Sequence, residues 1–419
     1  MITKVEALNY KCLKYLSQPL RDFQVLVGPN ASGKSTFLDV VNFLGDLVSE
    51  GLDFAVEKRG DSLSELFWMR TGTSFQLAVE FMIPESLRST GDSKPYDGAR
   101  YEVEISGGNG DRRISEERLW LLGAVGESIP APSGHQSEFP SFCAAPSTLF
   151  HTDRTWRRVV AKARGGNDNY YSEKGASTPK GWNPSFKLGP KKSALANLPD
   201  DEEKFPVASW VKRVLSTGIR TFTLDSLELR KPSSPEKKRG FETDGSNLPW
   251  VVHQLERDDP ERLSEWVAHL RTALPELTGI RTREIEYNKT RYVEVEYETG
   301  LCVPSWHVSD GTLRLLALTL PAYTRKMEGV FLIEEPENGI HPRAVETMYR
   351  SLSSVYGAQV LLATHSPVIL NMANARDVLC FAKTPEGATD IVTGDRHPGL
   401  ADWKGGVPLG VLFASGVLG

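Results

Sequence analysis

Gly28-Pro29-Asn30-Ala31-Ser32-Gly33-Lys34-Ser35-Thr36 decides the fold of this chain. The nine residues follow an apolar run, Phe23 to Val27, that predicts a strand. They open a segment, Lys34 to Leu47, in which Phe37, Val40, Val41 and Leu44 recur at helical spacing. Strand, glycine-bearing turn and helix are the setting of a phosphate loop. Gly28 and Gly33 let backbone N–H groups turn inward around an anion, the helix start adds its dipole, and Lys34 reaches the outer phosphates. The Ser35 hydroxyl suits Mg2+. The candidate nucleotide-binding residues here are Gly28, Asn30, Ser32, Gly33, Lys34, Ser35 and Thr36. A plain glycine turn entering a helix leaves the adjoining Gly-Lys-Ser without a reason.

Three later stretches carry matching chemistry. Val330-Phe331-Leu332-Ile333 is short enough for a buried parallel strand and ends in Glu334-Glu335-Pro336. This reads as a Walker B strand, with Glu334 holding Mg2+ beside Ser35, and Glu335 polarising a water. Alone it would read equally well as a strand entering an acidic turn. A further apolar run, Gln359 to Thr364, delivers His365-Ser366-Pro367 to the kind of strand end where ligands of open α/β sheets gather. A lone histidine is usually structural; this one is read as a γ-phosphate contact and a catalytic candidate. Finally, Ser309-Asp310-Gly311 opens an apolar helix running to about Leu320. Ser309 reads either as a plain helix cap or, with the Gly311 N–H, as a second anion-binding helix end whose target is not the nucleotide of its own chain.

Phosphate loop, Ser-Asp-Gly signature, paired acids, Pro336-Glu337-Asn338-Gly339-Ile340-His341-Pro342 and a strand-end His-Ser-Pro together resemble the ABC-type ATPases of the RecF/SMC/OLD branch. The pattern is similar to that of stand-alone bacterial AAA family ATPases of anti-phage defence systems such as PARIS. The resemblance implies an α/β ABC-type P-loop NTPase head with a mixed sheet, an antiparallel side sheet and an inserted helical and loop lobe. It further implies ATP and Mg2+ as ligands, and two chains meeting head to tail around two ATP molecules. Each ATP would lie between the phosphate loop of one subunit and Ser309, Asp310 and Gly311 of the other. Glu337 to His341, with Asn338 among the nucleotide-contacting residues, would correspond to the D-loop, and His365 to the switch histidine. Two features depart from the pattern: Glu334 stands where many relatives carry aspartate, and the Q-loop glutamine has only Gln76 as a candidate.

Composition sets the frame. The 419 residues are 25% charged and 40% hydrophobic, which suits a soluble chain with more than one core. The apolar runs are too short to span a bilayer and the first residues lack a secretion signal. Cys12, Cys143, Cys302 and Cys380 are scattered, so neither a zinc site nor a disulfide framework is expected, and a cytoplasmic location fits. A formal charge of −5 gives no global case for nucleic acid.

Three segments follow: residues 1–126 and 246–419 as the two parts of the head, and 127–245 as the insertion. Alternation in Phe75 to Phe81 and Tyr101 to Ile105 predicts the side sheet. From about Ser128 to Pro206, Gly, Pro, Ser and Asn suggest long loops. Order resumes in Val207 to Leu215, Thr221 to Leu229, helices over Leu248 to Leu255 and Pro260 to Leu274, and a hairpin of Thr282 to Tyr287 with Arg291 to Tyr297. No heptad run supports a coiled-coil arm. Residues 151–192 carry ten basic residues against three acidic, with Trp156, Tyr170, Tyr171, Trp182 and Phe186 among them. That mixture suits DNA or RNA, a partner protein, or simply a solvated surface. Lys237-Lys238-Arg239 reads as an exposed loop. Too few residues follow His365 for the nuclease domain of OLD-type relatives, so an effector nuclease is expected as a separate protein. A RecF-like DNA clamp and a weakly hydrolysing ATP-dependent scaffold are the alternative functions; the missing Leu-Ser-Gly-Gly-Gln signature disfavours a transporter.

Overall fold

The computed structural model describes residues 1–88, 96–108, 111–123, 138–141, 144–152, 155–173, 183–237, 240–325, 327–401, 403 and 406–418. Ser128, Cys143, Trp182, Lys238 and Arg239 lie outside them, as do Asp153, Arg154, Lys174 and Lys180 of the charged stretch at 151–192. Along the chain run β1 (Ile2–Tyr10), β2 (Leu13–Pro19), β3 (Phe23–Val27), α1 (Lys34–Ser49), α2 (Leu52–Glu57), β4 (Ser74–Met82), β5 (Tyr96–Gly108), β6 (Asp111–Gly123), β7 (Arg157–Lys162), β8 (Asp168–Tyr170), β9 (Ser185–Phe186) and α3 (Pro206–Arg213). Then come β10 (Ile219–Phe222), α4 (Ser226–Arg230), α5 (Leu248–Asp258), α6 (Pro260–Arg271), β11 (Leu277–Glu284), β12 (Arg291–Tyr297), β13 (Cys302–Pro304), α7 (Asp310–Thr319), β14 (Gly329–Glu334), α8 (Pro342–Ser353), β15 (Ala358–Ala363), α9 (Pro367–Met372), β16 (Val378–Lys383), β17 (Thr389–Thr393) and α10 (Leu409–Ala414). The chain divides into two compact units, Met1–Ile219 with Ala375–Trp403 and Leu418–Gly419, and Arg220–Asn374 with Lys404–Val417.

In the first unit an antiparallel sheet runs in the order β2-β1-β4-β5-β6-β7-β8-β9. Strand alternation buries Phe75, Leu77, Val79 and Phe81 of β4. Tyr10, Phe43 and Phe75 form a ring cluster with centroids 4.9–5.9 Å apart, which ties α1 to β1 and β4. Truncating a buried ring of this kind to alanine costs about 3–5 kcal/mol. The alternate residues carry an unusual load. Gln76 Oε1 accepts from the Leu149 N–H at 2.6 Å and the Thr148 hydroxyl at 3.1 Å. Arg100 joins Glu6, Glu80 and Glu102 and donates to the Leu149 carbonyl at 3.0 Å. Glu102 accepts from the His151 N–H. Residues 148–151 are thus stitched to β4 and β5 by side chains. The Gln76 Oε1 is committed to the sheet, and its Nε2 lies 3.4 Å from Glu104 Oε1.

The segment read as loops contributes β7, β8 and β9 to the same sheet. These strands have six, three and two residues. Their order comes from buried polar pairs instead of apolar alternation, which is why pattern did not reveal them. Lys162 Nζ meets Asp168 at 2.8 Å with both side chains buried. Glu117, also buried, accepts from Tyr101, from the Ser193 hydroxyl and from the Ala194 and Leu195 N–H groups. Glu173 accepts the Val207 and Ala208 N–H groups at the start of α3, and burial pushes its carboxyl up to about 7. A smaller mixed set of strands completes the unit: β3 pairs parallel with β16, and β16 antiparallel with β17.

The second unit holds the parallel pair β14 and β15, in register from Gly329 opposite Ala358 to Glu334 opposite Ala363. Both are apolar and buried, as parallel strands require. Trp266 of α6 is fully buried and donates to the Thr319 hydroxyl of α7 at 2.8 Å. The expected hairpin is present as β11 and β12, extended by β13, with β11 starting five residues before Thr282. Thr221 to Leu229 becomes the end of β10 followed by α4, because the Asp225 carboxylate caps the Leu227 and Glu228 N–H groups and so starts a helix.

Candidate functional site

The candidate residues form one group in each unit. In the first, β3 ends with Val25, Leu26 and Val27 fully buried, and the chain turns through the phosphate loop into α1. Gly28 and Gly33 adopt φ of +149° and +107°, and a β-carbon at Gly28 would strike the Phe381 carbonyl. No L side chain is comfortable at either place. Gly28, Ser32, Gly33 and Lys34 are buried, Thr36 is half-buried, and Asn30 and Ser35 are exposed. Lys34 Nζ donates to the Gly28 and Pro29 carbonyls at 2.8 and 2.9 Å, which folds the loop around its own cation.

Two features of this loop fit a triphosphate. The first turn of α1 has neither a side-chain cap nor an acidic residue, so the positive dipole end of a 16-residue helix faces the loop with no carboxylate of its own turn beside it. Ser32 Oγ is buried without a hydrogen-bond partner, and burying a hydroxyl in that state is unfavourable. Among the described residues no group of three or more His, Cys, Asp or Glu is arranged for a metal.

The second group sits at the carboxyl ends of β14 and β15. Glu334 and Glu335 are both exposed, and the Glu335 N–H donates to the Ala363 carbonyl at 2.8 Å. Glu335 lies at φ +46°, a left-handed conformation uncommon outside glycine and asparagine. Its carboxylate is held on one side by Asn338, whose Nδ2 donates to Oε2 at 2.6 Å, while His365 Nε2 stands 3.9 Å from Oε1. Asn338, expected on the nucleotide, is exposed and donates here to Glu335. Glu337 Oε1 accepts from the Thr364 hydroxyl at 2.6 Å and from the His365 N–H at 3.0 Å, which fixes the backbone that presents the histidine. A carboxylate at a strand end, aimed by an amide and beside an imidazole, is suited to orienting a water and taking its proton.

Ser309 caps α7: its hydroxyl accepts from the Thr312 N–H at 3.2 Å and meets Thr312 Oγ1 at 2.8 Å. Asp310 is paired with Arg230, at 3.0 Å from Nε and 2.5 Å from an Nη atom. A β-carbon at Gly311 would lie 2.6 Å from the Gly339 carbonyl, so this turn and the Glu337 to His341 loop are in direct contact. The second unit thus gathers Glu334, Glu335, Asn338 and His365 at one pair of strand ends and Ser309, Asp310 and Gly311 on one helix start. Glu337, Thr364 and Arg230 support them. Of these three, only Glu337, in the run of acids, gave any warning in the sequence.

Several described side chains of the basic and aromatic stretch pack on their own fold. Arg158 lies over the rings of Trp120 and Tyr171, Trp156 stacks on His151 at 3.9 Å, and the Tyr170 hydroxyl donates to the Ala194 carbonyl. Cys12, Cys302 and Cys380 are unpaired thiols. No helix among the described residues is long and apolar enough to cross a membrane.

No curated protein matches the chain. Among solved structures, an Smc head bound to the C-winged helix domain of ScpA aligns with a TM-score of 0.54 at 14% identity, covering 93% of this chain and 97% of that one. An Smc head domain with an extended coiled coil, bound to the C-terminal domain of ScpA derived from Pyrococcus furiosus, aligns with a TM-score of 0.51 at 13% identity, covering 93% and 95%. At such identity the likeness speaks for the fold, a P-loop NTPase head. A family model described as "AAA domain, putative AbiEii toxin, Type IV TA system" matches residues 23–371, which span the phosphate loop, the Ser309 turn, the paired acids and His365. The chain belongs to that AAA family, and its fold is that of the Smc heads.

Proposed function

We propose that the protein binds and hydrolyses ATP with Mg2+, that two copies close around the nucleotides, and that this closure switches a separate effector protein, in bacterial anti-phage defence. The observation that carries the reading is the uncapped, acid-free start of α1 behind Gly33 and Lys34. A helix start of this kind, with its positive dipole end turned to a glycine-bearing loop, is suited to receive an anion.

In this reading the loop amides and Lys34 hold the triphosphate of ATP, and the Ser35 hydroxyl with the Glu334 carboxylate holds Mg2+. The metal, when bound, spreads the negative charge of the phosphates. Glu335 orients the attacking water and takes its proton at Oε1, the oxygen that Asn338 leaves open. His365 adds a donor to the γ-phosphate through its ring. Ser309 and the Gly311 N–H of one subunit face the phosphate held by the other, which makes closure depend on the γ-phosphate. Support for a protein partner comes from the Smc heads, which are themselves seen bound to ScpA domains. Loss of the γ-phosphate would release the clamp, so the two states differ in what they can hold.

The test is a pair of measurements on wild type and Glu335→Gln. Wild type should release phosphate from ATP, and the variant should not. The variant should double in mass by light scattering when ATP and Mg2+ are added. Equal phosphate release by both would remove Glu335 from the chemistry, and a constant mass would remove the nucleotide-driven dimer.

A further inference from the structure

The closing strand of the first unit reaches back to the phosphate loop. Thr389 opens β17 and is 3% exposed. Its N–H donates to the Cys12 carbonyl at 3.0 Å, and its hydroxyl donates to the Ser32 carbonyl at 2.8 Å with Cys12 Sγ 3.3 Å away. A β-carbon on Gly33 would collide with that same hydroxyl. Thr389 therefore sits against the Ser32–Gly33 peptide with no space between them. Next to it, β16 presses on the other end of the loop, where the Phe381 carbonyl excludes a side chain at Gly28.

The geometry has a directional consequence. The Ser32 carbonyl and the Gly33 N–H belong to one planar trans peptide, so they point in opposite directions. A hydroxyl that holds the carbonyl toward β17 turns the N–H away from β17. Backbone N–H groups of a phosphate loop bind their anion only when several converge, and a peptide flip at Ser32–Gly33 would replace a donor with an acceptor. The φ of +107° at Gly33 makes the opposite orientation accessible to the free backbone, since glycine populates both signs of φ with little preference. Something outside the loop has to choose, and Ser32 Oγ, which has no partner, does not.

We infer that Thr389 is a positioning residue for the phosphate loop, holding the Ser32–Gly33 peptide in the orientation that receives the phosphates of a nucleoside triphosphate. The inference rests on the nucleotide-binding reading above. It assigns to a residue 357 positions away in sequence a share of the affinity usually credited to the loop alone.

The experiment compares Thr389→Val, which keeps the shape and removes the hydroxyl, with Thr389→Ser, which keeps the hydroxyl. A fluorescent ATP analogue is titrated into each with Mg2+, and melting is followed without nucleotide. Thr389→Val should bind about five- to tenfold more weakly than wild type, as expected for one lost hydrogen bond that orders a binding loop. Thr389→Ser should stay within about twofold of wild type. In turnover, the KM for ATP should rise in Thr389→Val more than kcat falls. Wild-type affinity in Thr389→Val, or equal weakening in Thr389→Ser, overturns the assignment, the second because it would trace the effect to the methyl group. Should Thr389→Val not fold, Thr389→Ala replaces it with the same expected weakening and the same overturning result. Failure of folded wild type to bind the analogue at all would instead overturn the nucleotide reading, and this assignment with it.

Discussion

The two groups of candidate residues are built on opposite principles. The phosphate loop is enclosed: Gly28, Ser32, Gly33 and Lys34 are buried, and the loop's shape is set by contacts from Phe381 and Thr389. The acids at the end of β14 are exposed, and Glu335 is held by a single amide from Asn338 and a strained backbone at φ +46°. A group that must hold a highly charged ligand gains from being arranged in advance, because ordering costs are then met during folding. A group that must meet a water and a moving phosphate gains from room to adjust. In the proposed function, holding falls to the first unit and chemistry to the second.

If that division is right, Glu335→Gln has the largest effect and strikes only the chemical group. Phosphate release should fall about 10³-fold, while binding of a fluorescent ATP analogue stays within about threefold of wild type. A variant that loses both would dissolve the distinction. Gly33→Ala should do the reverse. A methyl group there meets the Thr389 hydroxyl and an unfavourable φ, so analogue binding should weaken about 10²-fold, and with saturating ATP the turnover that remains should be close to normal.

The enclosed unit should also respond to pH. Burial raises the Glu173 carboxyl to about 7 against an ordinary value near 4.5. The native state therefore holds this proton longer than the unfolded chain does. Its contribution to stability is full below the unfolded value and is lost as pH climbs through about 7. From this group alone the fold should be about 2 kcal/mol less stable at pH 8 than at pH 5. Urea midpoints of wild type and Glu173→Gln at both pH values check it, since the variant should lose that part of the slope. The smallest effect is expected for Asn338→Ala, which frees the Glu335 carboxylate without removing it. Phosphate release should drop about five- to tenfold, with analogue binding unchanged; a loss as large as that of Glu335→Gln would mean that Asn338 itself touches the reacting atoms.

What the sequence disclosed follows the same division by physics. Gly28 to Thr36 and the buried strands β3, β14 and β15 were legible because a short apolar run closed by glycine or by acids leaves few alternatives. The side sheet showed where Phe75 to Phe81 alternate, and failed to show at β7 to β9, whose order rests on Lys162, Asp168 and Glu117. Buried polar pairs leave no periodic trace. Ser309, Glu335 and His365 could be named from spacing, yet the partners that aim them could not: Glu337 on the His365 backbone and Arg230 on Asp310 are products of tertiary packing, and Asn338 meets Glu335 through a local turn that leaves no periodic signal. Thr389 is the extreme case, a residue with no motif around it and a carbonyl 357 positions upstream as its target.

That separation has a meaning in time. A ribosome adds residues in order, and at about 5–20 per second the loop at Gly28 to Thr36 leaves the exit tunnel well before Thr389 has been joined to the chain. During that interval the Ser32 carbonyl has no hydroxyl to rest on. A nascent chain would meet the cell's ATP with its nucleotide loop still unset, and competence would arrive late, when the β16–β17 hairpin folds back.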